Sequence, residues 1–87
     1  MVQNFTIVAD GKNRLEVLSR ITAVLLQKQI PVEKLFFDSS GNGVGRIKIF
    51  CQTEREDILK RAVNQIGSMV DIFQAYYIED KKRKQII

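Results

Sequence analysis

The residues of this chain that could do chemistry are few, and their spacing narrows what they could do. Cys51 is the only cysteine and histidine is absent. No thiolate–imidazole pair is therefore available for nucleophilic catalysis, no cluster for zinc, iron or copper, and no second thiol for an intramolecular disulfide. Acid–base work near pH 7 also lacks its usual side chain. Cys51 closes an alternating apolar run, Ile47-Lys48-Ile49-Phe50-Cys51, which predicts a buried packing residue rather than a reactive one. The carboxylates are scattered over helix faces and turns, and no pair is spaced as a general acid and base. A glycine loop with the lysine and hydroxyl that grip a nucleotide phosphate is missing as well. The sequence offers no catalytic residue.

Three constellations remain. Asp10-Gly11-Lys12-Asn13 forms a turn before a helix, where free backbone amides can grip the carboxylate of a small ligand. The same segment continues as Asn13-Arg14-Leu15-Glu16, an N-x-x-E capping box in which Asn13 caps the helix and Glu16 folds back on it. Capping and ligand binding are both open to Asn13. The second constellation is Asn42-Gly43-Val44-Gly45-Arg46-Ile47-Lys48-Ile49. It shares its glycines with the K/R-G-F/Y-G/A-F-V-x-F/Y signature of RNA-recognition domains but has none of the stacking rings; Arg46, Lys48 and Phe50 are what an RNA reading would use. The third is Lys81-Lys82-Arg83-Lys84, a basic run beyond the last periodic segment. It accounts for the net charge of +4 and reads as a solvated tail with nonspecific affinity for anions.

The elements that position these groups follow from periodicity. Phe5, Ile7 and Ala9 alternate with Thr6 and Val8 as a first strand ending at Asp10-Gly11. From Leu15 to about Gln29, apolar Val17, Leu18, Ile21, Val24 and Leu25 recur at helical spacing, and Pro31 is the predicted stop. The second strand, Val32 to Phe37, puts Leu35 and Phe37 on one face and Val32, Lys34 and Phe36 on the other. Apolar bulk on both faces predicts a second subunit or a docked partner there. Ser39-Ser40-Gly41-Asn42-Gly43 is a turn, and a third strand runs from Val44 to Gln52. Thr53-Glu54-Arg55-Glu56 opens a second helix as a capping box, Ile58, Leu59, Ala62, Val63 and Ile66 form its stripe, and Gly67 is placed as its cap. Val70 to Ile78 is the last strand.

The order is βαββαβ, an α+β ferredoxin-like fold with two helices on one face of a four-stranded antiparallel sheet. Right-handed crossovers put the first and third strands in the middle and the second and fourth at the edges. With 87 residues, 45% apolar and 28% charged, the chain is predicted to be one domain over 1–80 with a basic tail over 81–87. A core this small favours oligomerisation. No leader or membrane-spanning stretch is apparent, so the expectation is a cytoplasmic protein.

Taken in order, Asn13 in the turn, Leu18-Ser19-Arg20-Ile21, Gln27-Lys28, Val32-Glu33-Lys34-Leu35 and Met69-Val70-Asp71-Ile72 resemble an ACT domain, and most closely the short form of the small regulatory subunit of acetolactate synthase, over residues 3 to 79. The resemblance implies a non-catalytic homodimer with no cofactor of its own. Its partner would be a catalytic large subunit carrying thiamine diphosphate and magnesium, with FAD left open, that serves branched-chain amino-acid synthesis. It also implies side-by-side pairing into an eight-stranded sheet, which places Val32, Lys34 and Phe36 at the dimer interface. An amino-acid effector site would lie between subunits, using the first turn of one chain and the helix-to-strand junction of the other. Its positions here are Asn13, Glu16, Val17, Pro31 and Val32. Glu16 stands where the family has glycine, and Pro31 where it has asparagine, so weak or absent valine feedback is expected. The alternatives are a stand-alone amino-acid-sensing domain acting on another enzyme, and the RNA-binding module above.

Overall fold

A computed structural model of the chain describes residues 2–80; the expected basic tail lies outside them. The elements run β1 (Gln3–Lys12), α1 (Leu15–Gln27), β2 (Val32–Gly41), β3 (Val44–Thr53), α2 (Glu56–Gly67) and β4 (Ile72–Glu79). The sheet order is β2-β3-β1-β4 with every pairing antiparallel. The predicted ferredoxin-like architecture is observed, with β1 and β3 central and β2 and β4 at the edges.

The β1–β3 register sets Phe5, Ile7 and Ala9 opposite Cys51, Ile49 and Ile47. All six are buried, and both helices cover them: Val17, Ile21, Val24 and Leu25 from α1, and Leu59, Ala62, Val63 and Ile66 from α2, complete one core. Each large aliphatic side chain of that core contributes about 1.5–3 kcal/mol relative to an exposed one. Cys51 is free and buried in it, its Sγ 3.8 Å from the Phe5 carbonyl oxygen.

Strands and turns differ from the sequence expectation in instructive places. The β2–β3 hairpin narrows to a two-residue loop, Asn42-Gly43, because Gly41 pairs directly with Val44. Positive φ at Asn42 (56°) and Gly43 (73°) matches the twist of the flanking strands, so the strands extend through what periodicity marked as a longer turn. Pro31 is not what stops α1. The helix ends at Gln27, and Gln29 takes a left-handed φ of 58°. The Gln29 amide then donates to the Leu26 carbonyl and the Ile30 amide to the Leu25 carbonyl, both at 3.0 Å. This is a Schellman cap with Ile30 buried behind it.

Neither predicted capping box forms. Arg14 is the N-cap residue of α1 and Arg55 that of α2, with no side-chain cap in either case. Thr53 Oγ1 instead accepts from the Arg55 amide at 3.0 Å, two residues on, and Glu56 accepts a hydrogen bond from Tyr77 Oη at 2.8 Å. Gly67 is the last helical residue of α2, and Ser68 is the cap.

Candidate functional site

The β1–α1 turn is held by its backbone before any side chain contributes. Lys12 donates to the Asp71 carbonyl (2.9 Å), Asn13 to the Gly43 carbonyl (2.8 Å), and Arg14 to the Lys12 carbonyl (2.9 Å). The first helical bond is donated by Val17 to Arg14 O at 3.0 Å, so the Leu15 and Glu16 amides precede the ladder, as at any helix start. Asn13 leaves α1 uncapped because its Nδ2 reaches across to Ser39 Oγ of β2 at 2.9 Å. Its amide and side chain thereby fasten the turn to the β2–β3 hairpin. Gly11 belongs to the same anchorage: a Cβ there would lie 2.5 Å from the Asp71 carbonyl oxygen.

Glu16 does not fold back on the turn. Its carboxylate lies between two exposed guanidiniums, 3.9 Å from Arg14 and 3.6 Å from Arg20. The group that would repel an incoming carboxylate is thus flanked by two cations, and the local charge is positive. Val17 points into the core, so its side chain is not available to a ligand. Beside the turn is a hollow of ≈ 160 Å³ lined by Asn13, Arg14, Leu15, Leu18 and Phe37. Phe37 reaches it by crossing the bare backbone of Gly45, where a Cβ would meet the ring at 2.8 Å.

Pro31 and Val32 stand at the far end of α1, about 20 Å away along thirteen helical residues. Pro31 has no amide hydrogen, and its carbonyl accepts from Gln52 at 3.4 Å. Val32 departs from its expected face. Val32 pairs with Cys51 and Lys34 with Phe50, so Glu33 is an extra residue, a bulge that turns Val32 to the helix side. There it lines an apolar groove of ≈ 260 Å³ with Thr22, Leu25, Leu26, Ile30 and Leu35. Lys34 and Phe36 stay on the open side, opposite Phe50 and Lys48.

Periodicity did not single out Leu26, which is 80% exposed on the rim of this groove; its place on α1 just outside the core stripe was the available signal. The two hollows flank one seam between α1 and the edge strand β2. Within one chain the expected effector positions lie in two groups, at opposite ends of that seam. Among the described residues, no three His, Cys, Asp or Glu side chains come together as a metal site, and no helix is long and apolar enough to cross a membrane.

A strongly organised polar group lies elsewhere, on the uncovered side of the sheet. Arg46 donates from Nε and Nη2 to the two oxygens of Asp10 at 2.7 and 3.0 Å, and Gln74 Nε2 donates to the same carboxylate at 2.6 Å. The Arg46 hydrogen bond, more than the opposing burial, holds the Asp10 carboxyl below its usual range, with Gln74 adding to it.

No protein-family model matches the chain, and no curated protein matches it in sequence. Solved structures match it closely in shape. The ACT domain from GTP pyrophosphokinase of Chlorobium tepidum superposes with TM-score 0.77 at 12% identity, covering 90% of this chain and 100% of that one. The C-terminal domain of the MgtC protein from Mycobacterium tuberculosis gives 0.77 at 9% identity over 95% and 93% of the two chains. A homoserine dehydrogenase from Thiobacillus denitrificans gives 0.76 at 16% identity, over 91% of this chain and 17% of the enzyme. At these identities the likeness speaks for architecture, and the chain has the ferredoxin-like fold of ACT domains.

Proposed function

We propose that this chain is a regulatory ACT-type domain that works as a side-by-side homodimer docked on an enzyme, and specifically a small subunit that activates acetolactate synthase with little valine feedback. The observation that carries the regulatory reading is the division of the effector positions. Asn13 and Glu16 lie at one end of α1, Pro31 and Val32 at the other, and β2 alongside them is an unpaired edge. Only a second chain, paired through β2, brings one kind of half-site against the other. The apolar surface along the seam, with Leu26, Val32 and Phe37 exposed, supplies what such a contact would bury.

The resemblance in residues 3–79 directs the finer assignment to acetolactate synthase. Thiamine diphosphate and magnesium then belong to the large subunit and not to this chain. Weak valine response follows from Pro31, which offers no side-chain or backbone donor, and from Glu16, whose carboxylate a ligand must displace from Arg14 and Arg20 or accommodate beside them. Activation asks only for a partner surface that favours the competent state of the enzyme, whereas feedback asks for a ligand that distinguishes two states. The direct test is acetolactate formation by the purified large subunit with and without this chain, across a valine titration. Stimulation that persists at high valine supports the proposal; no stimulation by folded protein rejects the subunit assignment. A stand-alone amino-acid sensor would instead bind a free amino acid without stimulating that enzyme.

A further inference from the structure

Helix α1 carries a second stripe that the core does not use. Leu15, Ser19, Thr22 and Leu26 recur at spacings of four, three and four residues, which puts them on one face. All four are exposed, the two leucines at 82% and 80%. No charge lies on this face: Glu16 and Arg20 stand off it and pair with each other at 3.6 Å. The Thr22 hydroxyl donates to the Ser19 carbonyl at 2.9 Å, so the helix itself satisfies that donor and covering it strands nothing. The stripe also reads the same from either end. A twofold axis crossing α1 between Arg20 and Ile21 exchanges Leu15 with Leu26 and Ser19 with Thr22. Each leucine borders a hollow, Leu15 the one it shares with Leu18 and Phe37, and Leu26 the groove it shares with Leu25 and Leu35. Because Phe37 lies beside Leu18 and Leu35 beside Leu25, Phe36 between them stands level with the middle of α1. An axis that pairs β2 with its copy about Phe36 therefore crosses α1 at its midpoint as well.

We propose that this face of α1 packs antiparallel against the same face of a second copy, with Leu15 of each chain entering the groove beside Leu26 of the other, and Leu26 the hollow beside Leu15. The inference rests on the side-by-side dimer and names the helix contact that completes it. Symmetry selects the occupant. An isologous contact requires a surface that is complementary to itself, and here each end of the stripe supplies the leucine and the hollow that the opposite end needs. The uncharged face brings no like charges together on the axis, and the small Ser19 and Thr22 at its midpoint let the two helices approach to the usual spacing of about 8–10 Å. The contact is continuous with the β2 edge, because Val32 and Leu35 of that strand line the same groove as Leu26.

The test is a charge rescue. Leu15→Glu and Leu26→Lys are made singly and then together in one chain, and dimer dissociation is measured by sedimentation velocity across a dilution series, with circular dichroism confirming the fold. Both leucines are exposed in the single chain, and each new charge suits its end of the helix dipole, so the fold tolerates them. Within one chain the two positions are eleven residues apart, about 16 Å along the helix, too far to pair with each other. The expected result is a loss of about 30-fold or more in dimer affinity for each single variant, where a charge is buried without a partner, and recovery to within about tenfold of wild type in the double variant, where carboxylate meets ammonium across the axis. Folded single variants that dimerise as tightly as wild type would overturn the helix contact while leaving the β2 pairing, which Phe36→Asp reads separately. Weakened single variants without rescue in the double would overturn the antiparallel exchange. A wild-type chain that stays monomeric at tens of micromolar would overturn both the contact and the dimer it rests on.

Discussion

Replacing Phe36 with Asp is the sharpest perturbation of the proposed dimer. Phe36 sits on the edge strand β2, 49% exposed, with its ring against Phe50. Burying the exposed half of a phenylalanine is worth about 1 kcal/mol, taken from about 1.5–3 kcal/mol for a whole side chain, and the twofold axis doubles it to about 2 kcal/mol per dimer. That alone weakens the dissociation constant about 30-fold. Two carboxylates facing each other across the β2–β2 junction add to it, so a loss of about 100-fold is expected. The edge contact with Phe50 is also lost, at about 0.5–1.5 kcal/mol, which the monomer's fold must tolerate. Phe73→Asp on β4, 58% exposed in the wild type, is the matched control at the other side of the sheet. Sedimentation velocity across a micromolar dilution series is the assay, with circular dichroism confirming the fold. A wild-type monomer at tens of micromolar, or a Phe36→Asp dimer as tight as wild type, would refute the reasoning; so would equal weakening by Phe73→Asp, which places the contact elsewhere.

Other consequences can be checked on the isolated chain. Cys51, buried against the Phe5 carbonyl, should react with a thiol reagent at neutral pH far more slowly than the unfolded chain, at a rate set by opening of the core. Gln29→Gly should raise stability by about 1 kcal/mol in urea unfolding, because the Schellman position holds a left-handed φ of 58° that glycine adopts without strain; a lower urea midpoint would contradict that cap assignment. The Asp10 carboxyl is held below its usual range by Arg46, so its contribution is complete above the ordinary carboxylate pKa and is lost as pH falls through the folded value. Asp10→Asn should therefore be less stable than wild type near neutral pH, with the gap closing on acidification, as chemical unfolding at neutral and acidic pH would show.

The element order and the core were readable in the sequence because alternation and helical spacing report burial directly: Phe5, Ile7 and Ala9, the α1 stripe and the α2 stripe all sit where their periods put them. What escaped was set by contacts between distant segments or by a one-residue irregularity. The extra residue at Glu33 reverses the face of Val32, and no composition signal marks a bulge in a strand that is apolar on both sides. Asn13 has the sequence of a cap, yet Ser39, 26 positions away, takes its side chain. Gln29 ends α1 without the glycine that usually announces such a cap, so Pro31 two residues later drew the assignment. The separation of Asn13 and Glu16 from Pro31 and Val32 along α1 followed from helix length. The flanking of Glu16 by Arg14 and Arg20 was visible only as sequence proximity, and the hollows on either side of the seam needed the placement of Leu26, Leu35 and Phe37.

On the proposed function, this chain activates an enzyme through association and gives it little feedback. The measurement that meets it most directly is acetolactate production by the purified large subunit, titrated with this chain and then with valine. The expected result is saturable stimulation that depends on dimeric chain, falls in Phe36→Asp, and stays nearly flat as valine rises. Unchanged enzyme activity in the presence of folded, dimeric chain would contradict the subunit role, and strong stimulation abolished by low valine would contradict the reading of Glu16 and Pro31.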